Sequence, residues 1–202
     1  MNPKHIGSNA KDMINGWCKK DPNMRKDINK AIHLRSAKMD FNYKFSTKIS
    51  KQLIEDYSIT KLFNKLKAFG KDLAGVKLDL QYTKESIMKY TKRCSRIKKA
   101  IRERKQVIFT TYDEHKGFVK VEPLGAYRCP LCKSNPSCTS CPIDIVMDSG
   151  GCVQTPYRLI DKDEPNLPIL LKQMEAEVFF LIQVYKALKK LRSKLYYESL
   201  KA

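Results

Sequence analysis

The sequence predicts a mainly α-helical protein of the α+β class: a helical bundle in which two long helices flank a small β-hairpin and a four-cysteine zinc-knuckle head. Apolar residues recur at intervals of three and four along residues 84–105 and 168–200, which is typical of helices packed along a neighbour. Two short runs of β-forming residues and four closely spaced cysteines lie between these helices, in residues 106–160. The simplest packing pairs the helices antiparallel, with the head at one end.

Net charge divides the chain into a strongly basic first part and a more balanced second part. The 202 residues include 40 Lys and Arg against 21 Asp and Glu, which gives a net charge of +19. Residues 1–50 carry 11 basic and 4 acidic side chains, and residues 51–100 carry 13 and 5. We therefore distinguish a basic N-terminal helical region, residues 1–82, from residues 83–202, which hold the long helices and the head. An excess of this size predicts an acidic partner.

The N-terminal region is expected to contain several short helices. Two are predicted at residues 10–20 and 21–39, and the second begins with Asp-Pro, which suits an N-cap followed by a proline in the first turn. Apolar residues within 53–69 follow at helical spacings. Gly70 and Gly75 come next as signals for the end of a helix.

The first long helix is predicted to begin after Thr83 as its N-cap and to run to Lys105. Its apolar seam consists of Ile87, Tyr90, Cys94, Ile97 and Ile101. The other faces are rich in cations, opposed only by Glu85 and Glu103. Eight of these cations are candidates for contact with a partner: Lys89, Lys92, Arg93, Arg96, Lys98, Lys99, Arg102 and Arg104.

A β-hairpin and the second long helix complete the predicted elements. "QVIFTTY" and "FVKVE" are separated by "DEHKG", which predicts a hairpin whose five-residue turn closes at Gly117. The second long helix, residues 168–200, has one apolar stripe. The stripe consists of Leu171, Met174, Val178, Leu181, Tyr185 and Leu188.

The four cysteines Cys129, Cys132, Cys138 and Cys141 have the spacing C-x2-C-x5-C-x2-C. Each C-x2-C turn places two sulfurs close together, and four thiolates form the closed tetrahedral shell of structural zinc. Because thiols stay reduced in the cytosol, clustered cysteines there favour metal binding over disulfides. The spacing therefore predicts a structural Zn²⁺ site, and a filled shell of thiolates disfavours catalysis by that ion.

Other interpretations of the cysteines remain. An iron-sulfur cluster also takes four thiolates, and Cys141-Pro142 is similar to the end of ferredoxin motifs, although the spacing differs. Disulfides would require a chain that leaves the cytosol. Cys152 is an alternative member of the cluster, a free thiol or, as we favour, a spare buried cysteine. Cys18 and Cys94 are interpreted as core residues.

The run from "CPLC" through "CTSCPI" to "GCVQTPY" resembles a pattern in small uncharacterised bacteriophage proteins. That pattern has CxLC, a short spacer, CxxCP, then a later Cys and a Pro-Tyr pair. The match covers about thirty residues, near 129–157. The resemblance implies a phage or mobile-element origin and action inside a bacterium.

No motif in the sequence indicates an enzyme, a membrane protein or a secreted protein. His5, His33 and His115 are far apart, and a pair such as Cys152 with His115 is the remaining enzymatic alternative. The phosphate-binding loop, the dinucleotide fingerprint and the HExxH motif are all missing. The sequence also has no apolar stretch of membrane-spanning length and no signal-peptide core, so we expect a cytoplasmic protein, in the host cytoplasm if it is phage-encoded.

Two functions of different classes remain. The first is a non-enzymatic, zinc-stapled protein whose basic helices contact the phosphate backbone of nucleic acid or a nucleoprotein complex. The second is a phage-type interaction protein that docks on an acidic surface of a host or viral protein and inhibits it. The charge of the first hundred residues favours nucleic acid.

Overall fold

The computed structural model describes residues 43–201, apart from 112–116, 125–128, 136–137 and 149–150. The two helices expected between residues 10 and 39 lie outside the described residues. Within the described part, the protein is mainly helical with one two-stranded sheet. The elements are α1 (Lys51–Asp56), α2 (Ile59–Phe69), α3 (Leu73–Glu103), β1 (Gln106–Phe109), β2 (Phe118–Val121), α4 (Pro130–Ser134), α5 (Pro142–Val146) and α6 (Leu167–Ser199). Short 3₁₀ turns span Cys138–Ser140, Gly151–Gln154 and Pro156–Leu159.

The first long helix, α3, begins at Leu73 rather than at residue 84, so its predicted start was wrong. Asp72 caps it by accepting a hydrogen bond from the backbone N–H of Gly75 at 2.7 Å. Gly75 therefore lies in the first turn and does not stop a helix. Thr83, the predicted cap, is fully buried in the middle of α3, where packing overrides its preference for helix ends. The predicted boundary at residue 82 falls inside this helix.

Gly70, by contrast, ends a helix as predicted. It follows α2 and has a φ of 78°, in the left-handed region that glycine adopts without steric cost. Only Lys71 and Asp72 then separate it from α3. This short link joins α2 and α3 as consecutive helices of the bundle.

The helices α3 and α6 form the largest contact of the described structure, and they pack antiparallel as predicted. Near the end of α3, Lys98 pairs with Glu175 at 3.0 Å, and Ala100 lines the same groove as Leu170, near the start of α6. All six residues of the predicted α6 stripe are buried. Of the α3 seam, Ile87, Cys94 and Ile97 are buried, whereas Tyr90 and Ile101 are partly exposed.

Both predicted strands are present, but they do not form a hairpin. They pair in parallel, with Gln106 opposite Phe118 and Phe109 opposite Val121. Parallel pairing requires the chain to travel back along the length of β1 before β2 begins. A four-residue strand is about 13 Å long, and eight link residues, 110–117, can each span about 3.3 Å, so the link is long enough. Gly117 directly precedes β2 with a φ of 88°, a conformation that favours glycine, but it does not close a hairpin as predicted.

A buried carboxylate attaches the segment 43–50, which bends at Ser46 and Thr47, to the bundle. Glu175 of α6 is fully buried and accepts hydrogen bonds from the backbone N–H groups of Ser46 and Thr47, each at 2.8 Å. The hydroxyls of Tyr43 and Thr47 also donate to it, at 3.0 and 2.6 Å. These donors and Lys98 hold the pKa of Glu175 below its usual value against the opposing effect of burial. Among the described helices, none has the length and apolar character required to cross a membrane.

Candidate nucleic-acid interface and cysteine cluster

An open groove of about 370 Å³ lies between α3 and the sheet, and we call it the basic groove. It is lined by Lys89, Lys92, Arg93, Arg96, Thr110, Thr111, Lys120 and Glu122. Four of these residues are among the predicted partner-binding cations. The structure therefore brings half of the predicted set together on one wall of one groove.

Lys92 and Arg96 are the cations most available to a partner. They lie four residues apart on α3, so their side chains are neighbours on one face, and both are exposed. Neither forms an ion pair with another described residue. Lys89 differs, because its Nζ lies 3.1 Å from the Glu122 carboxylate, which offsets its charge.

Arg93 lines the same groove but has a structural role. Its side chain is buried, and its guanidinium donates to the backbone oxygens of Glu122 at 3.2 Å and Pro123 at 2.6 Å. The guanidinium also lies 4.7 Å from the centroid of the Tyr90 ring. These contacts fix the chain after β2 against α3, so Arg93 shapes the groove more than it offers charge to a partner.

The other four predicted cations lie outside the basic groove. Lys98 contacts Glu175 and also donates to Tyr43 Oη at 2.9 Å, so it serves the attachment of segment 43–50. Lys99 lies 3.8 Å from Glu103, one turn away. Arg102 is exposed, and Arg104 ends α3 with a left-handed φ of 52°.

The strand wall of the groove was missed by the sequence reasoning. Thr110 and Thr111 follow β1, and Lys120 lies in β2 between the buried residues Val119 and Val121. This alternation in "FVKV" indicates that Lys120 is on the face opposite the buried valines. The sequence could not show that this face borders α3, because that depends on how the sheet packs.

Two of the cysteines occupy equivalent positions in the head. Cys129 is the N-cap of α4 and Cys141 is the N-cap of α5, and each is followed by a proline in the first turn. The backbone N–H groups of Ile143 and Asp144 bond to the Cys141 sulfur and favour its thiolate. Burial outweighs this effect and raises the pKa of Cys141 to about 11.

The thiols lie close enough to influence one another. The Cys129 sulfur lies 3.8 Å from Ser86 Oγ of α3. Burial, followed by the nearby thiols of Cys129, Cys141 and Cys152, raises the pKa of Cys132 to about 12. Burial and Cys129 likewise raise the pKa of Cys152. Mutual repulsion of this kind is what a bound cation would relieve.

The sulfurs do not form a finished coordination shell. In the part of the chain that the structure describes, no three His, Cys, Asp or Glu side chains are close enough together to hold a metal ion. The described cysteines form no disulfide with one another, and Cys132 and Cys138 are exposed. The head thus brings thiols into one neighbourhood, and a metal ion would have to draw them closer.

A buried carboxyl lies beside the head. Glu177 of α6 is 2% exposed, and its carboxyl group interacts with the Thr155 side chain and the Tyr157 backbone. Its Oε2 has no hydrogen-bond partner among the described residues. Burial raises the pKa of Glu177 to about 7, although both interactions favour its charged form. Nothing in the sequence singles out this residue, because it lies on the apolar side of a regular helix.

Comparison of the chain with protein-family models, with curated proteins and with solved structures gives no match.

Proposed function

We propose that this protein is a non-enzymatic binding protein that contacts the phosphate backbone of nucleic acid through the basic groove, with a structural Zn²⁺ ion ordering its cysteine head. The observation that carries the proposal is that the exposed cations Lys92 and Arg96 lie side by side on the helix wall of the groove. On the strand wall, Lys120 adds positive charge, although its Nζ already donates to the Thr111 carbonyl oxygen at 2.8 Å. Neighbouring cations of this kind suit the phosphates of a nucleic-acid backbone.

The lining chemistry supports a phosphate partner. Lysine and arginine neutralise phosphates and release their counterions, and threonine hydroxyls such as those of Thr110 and Thr111 are common donors to phosphate oxygens. Among the described lining residues, Glu122 is the one carboxylate, and it is already paired with Lys89. The described part of the lining therefore keeps a positive charge that an acidic ligand would reduce.

The zinc component rests on the cysteine spacing and on the proximity of the thiols. Four thiolates would complete the shell of a structural zinc ion, and metal binding would order the short turns around it. Among the described elements, α4 packs on α3 and α5 packs on α2, so an ordered head would stay attached to the bundle that forms the groove. An iron-sulfur cluster is the alternative occupant.

The test is a titration of fluorescently labelled duplex DNA, single-stranded DNA and duplex RNA at several salt concentrations. For a duplex ligand, replacing Lys92 and Arg96 with glutamine should lower the slope of log K against log salt by about two, since each lost phosphate contact removes about 0.9. Replacing both with glutamate should weaken binding by at least about tenfold.

In the matched control, Lys77 and Lys172 are both replaced with glutamine, or both with glutamate. These two lysines are exposed and lie outside the groove. Equal losses in both double variants would mean that only net charge matters and would refute the groove. If no nucleic acid binds the wild type, but an acidic protein is retained and released by the Lys92 and Arg96 variants, the interaction-protein alternative is correct.

A further inference from the structure

We propose that a row of lysines between α2 and α6 is a second surface for nucleic acid, and that it holds a single strand whose bases stack on Tyr197. The row consists of Lys67, Lys190 and Lys194, and we call it the lysine ridge. It shares no residue with the basic groove. The inference rests on the proposed function only for the class of partner, because the ridge and the groove bind through different side chains.

The ridge lies where α2 and α6 pack side by side. Lys190 Nζ of α6 lies 4.5 Å from the centroid of the Phe63 ring of α2. One turn further along both helices, the side chains of Lys67 and Lys194 approach each other. The residue numbers rise together in these two contacts, so the helices run parallel and their cations form one continuous row.

The apolar packing of the two helices holds these like charges together. Leu66, directly before Lys67, and Leu191, one turn before Lys194, are both buried. The side-chain contact with Lys194, followed by the repulsion between the two charges, lowers the pKa of Lys67. Glu198 offsets part of the charge, since its Oε1 lies 3.4 Å from Lys194 Nζ, but this carboxylate is itself exposed. A bound anion would relieve the remaining repulsion.

The shape of the ridge suits a strand with accessible bases. Lys190 and Lys194 are four residues apart on α6 and are therefore neighbours on one face. Tyr197 follows three residues later on that face, and 47% of its surface is exposed. Proteins that bind single strands combine cations along the backbone with aromatic rings on which bases stack. The bases of a duplex are already paired and stacked, so the ring favours a single strand.

The ridge is also well separated from the basic groove along the bundle. Lys98 of α3 pairs with Glu175 of α6, and the two helices are antiparallel. Lys92 precedes Lys98 by six residues, so it lies level with about residue 181 of α6. Lys194 is about 13 residues beyond that level, which is about 20 Å at 1.5 Å per residue. The two surfaces can therefore contact different parts of one nucleic acid.

The first experiment titrates a labelled single-stranded DNA into the full chain at several salt concentrations. Replacing Lys67 and Lys194 with glutamine should lower the slope of log K against log salt by about 1.4, since each phosphate contact to a single strand contributes about 0.7. The same change at the exposed residues Lys77 and Lys172 is the control and should leave the slope unchanged. Circular dichroism checks that each variant keeps its helices.

The second experiment tests stacking. Tyr197→Ala should weaken binding of the single strand by about fivefold or more and leave the affinity for the duplex of the same sequence unchanged. Tyr197→Phe keeps the ring and should bind the single strand as the wild type does. Equal weakening of single strand and duplex by Tyr197→Ala would overturn the assignment of a single strand to the ridge.

The outcomes separate this inference from the proposed function. A slope for the Lys67 and Lys194 variant equal to that of the control would overturn the ridge, whereas a lower slope for the Lys92 and Arg96 variant would still support the groove. The reverse result would refute the groove and support the ridge. A wild type that binds anionic lipid vesicles but no single-stranded DNA would overturn the ridge as a nucleic-acid surface.

Discussion

The helical bundle and the cysteine head obtain their order in different ways. In the bundle, Phe180 and Met174 are fully buried on a 33-residue helix that packs along a 31-residue one. The head consists of five-residue helices and 3₁₀ turns, whose main buried side chains are Leu131, Ile143 and Val146. Helices that short are not stable in isolation, so the head depends on its contacts with the bundle and, in our proposal, on metal.

In the proposed function, this difference gives the two regions different roles. The bundle is the support, because its buried apolar area stabilises it without any ligand. It provides one wall of the basic groove through α3, and the Arg93 contacts to the chain after β2 keep the other wall in place. In the proposed function, the head supplies the thiol ligands of the metal ion. Burial and, for Cys132, the neighbouring thiols raise the pKa values of Cys132 and Cys141.

The largest expected effect is the loss of a bundle side chain. Phe180→Ala removes a fully buried ring that also contacts the Tyr57 ring, with centroids 4.7 Å apart. The free energy of unfolding should fall by about 3–5 kcal/mol, from lost burial and the remaining cavity. Urea denaturation followed by circular dichroism measures this loss.

The control for that experiment is Phe118→Ala, because Phe118 is 42% exposed at the start of β2. Its loss should be below about 1 kcal/mol. Similar losses for the two variants would show that α6 is not the centre of stability and would break the comparison between bundle and head.

The sequence was sufficient to predict the bundle but not the head or the groove. The α6 stripe from Leu171 to Leu188 is regular, so its periodicity predicted a buried face that the structure confirms. The start of α3 was missed because Thr83 has the local preference of a cap, while its burial depends on distant residues. The positions of the strands were likewise visible in the local sequence, whereas their parallel pairing was not.

The same distinction applies to the candidate site. The cation-rich faces of α3 are visible in the sequence, but the burial of Arg93 and the pairing of Lys98 with Glu175 are not, since both depend on residues far along the chain. Lys120 was missed for the same reason. Sequence spacing thus indicates which side chains can bind a partner, and packing determines which ones remain available.

A second test concerns the polar contact inside the bundle. Glu175→Gln removes the charge that accepts bonds from Ser46, Thr47 and Lys98, and hydrogen bonds to charged groups contribute about 1.5–3 kcal/mol each. We expect stability to fall by about 3 kcal/mol, with faster hydrogen exchange at Ser46 and Thr47. Glu55→Gln, at an exposed position on α1, should change stability by less than about 0.5 kcal/mol. Unchanged exchange at Ser46 and Thr47 would show that Glu175 does not hold the segment.

The smallest expected effect tests the contact between the bundle and the head at Glu177 of α6. Its folded pKa, about 7, is above the ordinary carboxyl value of 4.5, so the folded state binds a proton more tightly than the unfolded state. The contribution of Glu177 to stability is therefore full below about pH 4.5 and is lost as pH rises to about 7.

Between pH 5 and pH 8 the wild type should lose about 2 kcal/mol relative to Glu177→Gln, whose amide does not titrate. Urea midpoints at the two pH values measure this difference. Because the Thr155 side chain interacts with Glu177 and donates its hydroxyl hydrogen to the carbonyl oxygen of Cys152, the ionisation should also change hydrogen exchange at residues 152–157. A pH-dependent midpoint without any change there would mean that the bundle and the head are joined by packing alone.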